Sequence, residues 1–233
     1  LGLFNRLQVE GFYVEDYQGD TLLYAHQVET GITAFKPLTF GTAKVDSALL
    51  RLAEMPDGEI NIKQVVDRLR SGKGSNFSMA INRAEVTNFR FELFRNDTTH
   101  RYRGGIDWSA MQLYDADVVG RDFLLDGDSI ALRLDKISLS ERSGIRLDDV
   151  SADWLSIASG RMRFADLHLQ SGATEINMPM LTIIGENGWD DYSDYINKVV
   201  MDITAENSHI DFATIGYFAP QIAHWRTQLS NIE

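Results

Sequence analysis

The chain has 233 residues, 44% of them hydrophobic and 24% charged, enough for one large all-β domain or two small ones with a real core. Its net charge of −12 repels phosphate backbones, which argues against nucleic acid as a partner and gives little help on an anionic bilayer. The absence of cysteine excludes disulfides and thiolate metal sites, and no run approaches the roughly 18 apolar residues of a membrane-spanning helix.

The first residues already read as strand, with Leu3, Phe4, Leu7 and Val9. No signal-peptide pattern precedes them, so we expect a piece of a longer protein with any anchor upstream. A helix follows near 62–71, where Ile62, Val65, Val66 and Leu69 form a narrow apolar stripe. Asn61 suits its cap, Gln64 completes a capping box, and Gly72 and Gly74 end it.

Beyond it the pattern is period-2 alternation, the mark of half-buried strands. Phe77, Met79 and Ile81 alternate, and Phe89, Phe91 and Leu93 continue after a shift near 83–88. Ile130, Leu132 and Leu134 alternate, then Ile137 and Leu139 change phase. Met162 and Phe164 give way to Leu167 and Leu169 in the other phase, and Ile176, Met178 and Met180 follow. A second helix is expected near 191–198, then a strand through Val199, Met201 and Ile203 toward Ile210 and Phe212, and a short third helix over 215–225, interrupted at Pro220. Phase shifts inside long strands predict bulges, which bend a sheet. The expected fold is mainly β: a long curved antiparallel sheet, an open taco-like groove, with two or three short helices. Residues 1–233 read as a single β-rich region, with possible submodules 1–74 and 75–233. Two short helices cannot cover so much apolar sheet, so the sheet must close on itself, meet neighbouring modules, or hold an apolar ligand.

No nucleophile-elbow, zinc-protease or phosphate-loop motif occurs, and no catalytic, cofactor or metal residue is assigned; the chain is not expected to be an enzyme. The histidines His26, His100, His168, His209 and His224 lack metal spacing. His168, between Leu167 and Leu169, should face away from them. The acidic run Asp115, Asp117, Asp122, Asp126 and Asp128 lacks the order of a calcium loop, and Asp126-Gly127-Asp128 reads as a turn. Gly72-Lys73-Gly74-Ser75 follows a helix and reads as its stop. Phe89, Phe91, Phe94, Trp108 and Tyr114 read as core rather than a sugar platform, while Met178 and Met180 suit a core or an adaptable apolar groove. A hydrolase built on Asp166 and His168 would need a deep polar pocket with converging carboxylates.

The opening resembles a known family. Leu7-Gln8-Val9-Glu10-Gly11-Phe12-Tyr13-Val14-Glu15-Asp16 runs into Gly19-Asp20-Thr21-Leu22-Leu23-Tyr24-Ala25. Ile32, Pro37-Leu38, a strand at 43–48 and Asp57-Gly58-Glu59-Ile60-Asn61-Ile62 follow. This order resembles AsmA-like proteins, and more closely the TamB-like inner-membrane components of the translocation and assembly module. Trp189-Asp190-Asp191-Tyr192, Ile210-Asp211-Phe212 and Tyr217-Phe218-Ala219-Pro220 resemble a later part of such chains.

The resemblance implies a periplasmic protein tethered to the inner membrane by one N-terminal helix, with a sheet rolled into a groove of apolar interior. It implies a role in phospholipid transport between membranes, in outer-membrane protein assembly, or both. The implied partners are phospholipid acyl chains, neighbouring modules of the same chain and the outer-membrane assembly barrel protein. The expected lining is Phe89, Phe91, Leu93, Ile130, Leu132, Leu134, Ile176, Met178 and Met180. Asp46-Ser47-Ala48, Asp97-Thr98-Thr99 and Asp128-Ser129-Ile130 also match a short acceptor motif for O-glycosylation of envelope proteins, although such pairs serve equally as turn caps. The alternative reading is an extracellular β-sandwich that binds carbohydrate or a protein.

Overall fold

The computed structural model describes residues 6–63, 78–95, 104–127, 129–188, 191 and 198–218. They form one open, mainly β sheet and a single short helix. In chain order the strands are β1 (Leu7–Glu15), β2 (Thr21–Thr30), β3 (Ile32–Phe35), β4 (Leu38–Ala53), β5 (Ser78–Phe94) and β6 (Gln112–Asp126). Then come β7 (Ser129–Glu141), β8 (Arg146–Ala158), β9 (Arg161–Ser171), β10 (Thr174–Gly185) and β11 (Val199–Thr204), and the helix α1 (Phe212–Phe218).

The sheet runs β1-β2-β4-β5-β6-β7-β8-β9-β10-β11, with β3 paired to β4 off the path. Neighbours are antiparallel except β4 and β5, which are parallel. At this one seam the pairing is parallel where antiparallel strands were expected, which makes the sheet mixed. A parallel pair needs a connection that returns along the strands, and residues 54–77 are long enough to provide one. All described strands share this one sheet, so no second sheet is present among them to make the sandwich. Nor is the packing that of a closed core: among the described residues only nine hydrophobic side chains are buried, four of them alanines.

Of the three expected helices, the first keeps Ile62 and Lys63 as its described start, with 64–71 outside the described residues. The second lies outside them except Asp191 and Lys198, and the loop 72–75 lies wholly outside. The third begins at Phe212, three residues earlier than read, because Asp211 caps it by accepting the Ala213 amide on Oδ2 at 3.1 Å.

The phase shifts are bulges. Ser47, Asn88, Asp115, Asp122 and Asp166 have φ between 49° and 54°, and Gly11 has φ 65°. Small polar residues and glycine tolerate this left-handed conformation better than branched ones. Each shift steps the apolar pattern by three residues, so the same face stays apolar on both sides of the bulge. Leu134 faces Gly120 and Ile137 faces Val118; Gly120 and Val118 are two apart in a regular stretch and share a face, so Leu134 and Ile137 do too.

The two motif segments at the start of the chain meet in space. Asp16 Oδ1 accepts the amides of Gln18 (2.9 Å) and Asp20 (3.0 Å), closing a tight turn in which Gly19 has φ 83°. Asn61, only 1% exposed, accepts the Ala53 amide on Oδ1 at 3.1 Å and donates from Nδ2 to Asp16 Oδ2 at 3.1 Å and the Arg51 carbonyl at 3.4 Å. This side chain latches the β1–β2 turn to the end of β4. Desolvation raises the Asp16 pKa, but the bonds from Asn61, Asp20, Gln18 and Gly19 outweigh it and hold the carboxyl below its ordinary value.

Candidate functional site

Residues paired across neighbouring strands lie on the same face. The register therefore traces rows of side chains across the sheet. One row is Val9, Val28, Val45, Val86, Val118, Ile137, Val150, Leu169 and Ile176. It crosses nine strands without a polar residue, and every member is half-buried. A second row is Phe35, Leu38, Met79, Leu125, Ile130, Ile157, Met162, Ile183 and Met201. A third joins Leu132, Leu155, Phe164, Leu181 and Ile203. Toward the opposite strand ends lies Val14, Leu23, Leu50, Phe91 and Leu113.

The other face carries the ion pairs, among exposed aromatic and aliphatic side chains such as Tyr13, Tyr24, Leu124 and Trp154. Lys44 and Arg83 reach Glu85 (3.5 and 2.7 Å), Arg83 and Arg121 reach Asp135 (3.6 and 2.8 Å), and Arg51 reaches Glu92 at 2.7 Å. The bond from Arg83 holds the Glu85 carboxyl below its ordinary value, with burial opposing and Lys44 adding to it. The bond to Asp135 raises Arg121 further above its ordinary value. His168 faces this side as expected, its Nδ1 2.7 Å from Asn177 Oδ1, in a row with Ser151.

Eight of the nine expected lining residues share the apolar face. Phe89 (opposite Ala116), Phe91 and Leu93 come from β5, Ile130, Leu132 and Leu134 from β7, and Ile176 and Met178 from β10. Met180 does not. It pairs with Ala165, which pairs with Trp154, and its neighbour Leu181 occupies the apolar face. The sequence alternation from Ile176 breaks at Pro179, opposite the left-handed Asp166, so Met180 turns to the ion-paired side and is 42% exposed. That position for Asp166 is a structural one; the neighbouring His168 bonds Asn177.

The expectation that Phe94, Trp108 and Tyr114 are core is also corrected, since all three are exposed. Trp108 instead packs on Phe218 of α1, with ring centroids 6.3 Å apart. The remaining members of the rows, such as Val118, Leu155 and Leu181, were not singled out in sequence. Their alternation was visible, but the register that aligns them was not.

Asp115 and Asp122 are bulge residues, and Gly127 turns between β6 and β7. Among the described residues no three His, Asp or Glu side chains converge as a metal site. Of the acceptor-motif residues, Ser47 Oγ contacts Asp46 Oδ2 and accepts from Asn88 Nδ2, both at 3.2 Å, and Ser129 Oγ donates to the Asp126 carbonyl at 2.8 Å. Residues 97–99 and 128 lie outside the described residues. A cavity of about 480 Å³ lies at the Asn61 latch and is lined by Asp16, Asp20, Arg51 and Glu54 among others.

One end of the apolar face is finished in polar residues. Continuing the rows at the ends of β7, β9 and β10 are Glu141, Ser171 and Thr174, at 2%, 7% and 0% exposure. Glu141 accepts the Ser143 amide at 2.6 Å, Ser171 Oγ donates to the Arg146 carbonyl at 2.6 Å, and Thr174 Oγ1 meets Thr214 of α1 at 2.8 Å. The helix thus lies over this end. No protein-family model matches the chain, and no curated protein matches it.

Proposed function

We propose that this chain is a lipid-holding segment of an AsmA-like or TamB-like bridge protein of the bacterial periplasm, tethered to the inner membrane by a helix elsewhere in the protein. It supports phospholipid movement between membranes, outer-membrane protein assembly, or both, alongside neighbouring modules and an assembly barrel. The observation that carries the reading is the set of apolar rows, up to nine strands wide, on a face whose side chains are mostly half-buried. A continuous apolar face of this kind marks an interaction or ligand-binding surface.

The mechanism is passive. Acyl chains lie across the rows while headgroups stay in water. Each buried CH₂ contributes about 0.8 kcal/mol, and because the rows repeat at every strand, a chain gains the same contacts at successive positions and slides between them. No single side chain is indispensable to such a mechanism.

Native mass spectrometry of protein purified gently from a membrane-containing lysate tests this. The wild type should carry phospholipid, the double variant Leu132→Glu/Met178→Glu should lose it, and Met180→Glu, on the opposite face, should keep it. A lipid-free wild type, or equal retention in all three, overturns the reading.

A further inference from the structure

We infer that α1 is a displaceable strap over the β7–β10 end of the apolar face, and that a two-chain phospholipid enters from the side by lifting it. This rests on the lipid-holding reading. Among the described residues the attachment consists of a few specific contacts. Thr174 Oγ1, wholly buried on the sheet, meets Thr214 Oγ1 at 2.8 Å and accepts the Asp211 amide at 2.9 Å. The Ile106 amide donates to the Tyr217 carbonyl at 2.7 Å, and Trp108 stacks obliquely on Phe218. No residue of α1 is itself buried. Segments with few buried apolar contacts open at low free energy.

The segment leading to α1 is held on the sheet edge. Residues 205–210 are exposed throughout, and the Asn177 amide donates to Ser208 Oγ at 2.9 Å while Asn177 Nδ2 donates to the Asn207 carbonyl at 3.2 Å. His209 and Glu175 exchange backbone bonds at 2.7 and 2.8 Å, and the Asn177 carbonyl accepts the Glu206 amide at 3.0 Å. The strap is therefore pinned at the edge of the sheet, while α1 beyond it crosses onto the apolar face. Beneath α1 the face ends in Glu141, Ser171 and Thr174, already satisfied by neighbours other than α1 except at Thr174. Lifting the helix returns the Thr174 and Thr214 hydroxyls, the Ile106 amide and the Tyr217 carbonyl to water, and opens the ends of the apolar rows to an acyl chain whose headgroup remains outside.

The chain has no cysteine, so a lock can be introduced cleanly. The hydroxyl contact places positions 174 and 214 within reach of an S–S bond. In Thr174→Cys/Thr214→Cys, uptake of a fluorescent phospholipid from phosphatidylethanolamine/phosphatidylglycerol vesicles should slow about tenfold when oxidised and recover on reduction. Thr214→Val, which loosens the strap without a bridge, should speed uptake several-fold. Equal uptake by the oxidised and reduced lock, with Thr214→Val unchanged, overturns the strap alone. A wild type that takes up no probe overturns both the strap and the lipid-holding reading.

Discussion

Replacing Asn61 with alanine should unfasten the β1–β2 turn from β4. The side chain is 1% exposed and makes three hydrogen bonds, to Asp16, the Ala53 amide and the Arg51 carbonyl. At about 1 kcal/mol each, the loss amounts to roughly 3 kcal/mol, and the Ala53 amide is left without its side-chain acceptor. With a urea slope of about 2 kcal/mol/M, the unfolding midpoint followed by far-UV circular dichroism should fall by roughly 1.5 M.

The difference should also depend on pH. Asp16 has a folded pKa below its unfolded value, so it contributes stability above the ordinary carboxylate range and loses it as pH falls through the folded value. Asn61 donates to the ionised form, so the gap between wild type and Asn61→Ala should narrow on acidification from pH 7 toward pH 3. A midpoint shift below about 0.3 M at pH 7 would refute the latch. A gap that stays constant with pH would refute the Asp16 part of it.

Leu134→Ala, at a 6%-exposed site, should cost about 2–4 kcal/mol in the same unfolding assay, whereas Leu132→Ala, half-buried two residues away, should cost under about 1.5 kcal/mol; equal costs would mean the face is sealed after all. Asn88→Val should lower the melting temperature, by about 1–2 kcal/mol in stability, because a branched residue is strained at φ 52°, and Asn88→Gly should recover most of it. Asp135→Asn removes the partner shared by Arg83 and Arg121, which face each other in register with Arg133 next in line. Its melting temperature should fall at low salt and recover in 0.5 M salt, since like charges directly opposite repel and salt screens them; a loss independent of salt would show that charge is not its cause.

Much of this was legible in the residues. Alternation in segments such as Ile130-Ala131-Leu132-Arg133-Leu134 identified strands and their two faces, and the broken phase from Phe164 to Leu167 announced a bulge. The same breaks explain the one lining residue misplaced. Alternation carried Met180 along with Met178, but the shift at Pro179 reverses the face, and its location depends on the left-handed Asp166 of the neighbouring strand. The parallel pairing of β4 with β5 had no local signal, because it is set by the path of the connection. The exposure of Trp108 and Phe94 was equally hidden. Aromatic residues mark apolar contact, but which partner they meet depends on where α1 returns.

The parallel seam has a kinetic consequence. In β4 and β5 each residue pairs with the one 41 positions later, as in Leu38 with Met79 and Ala53 with Phe94. The pairings β5–β6, β6–β7, β7–β8, β8–β9, β9–β10 and β10–β11 instead join strands consecutive in the chain, and β1–β2 does the same on the other side. Local hairpins form quickly, whereas closing a long loop delays contact until its entropy has been overcome. The two meanders should therefore assemble first and zip together at β4–β5 last, with the bare edge of β5 the surface most open to mispairing during that interval.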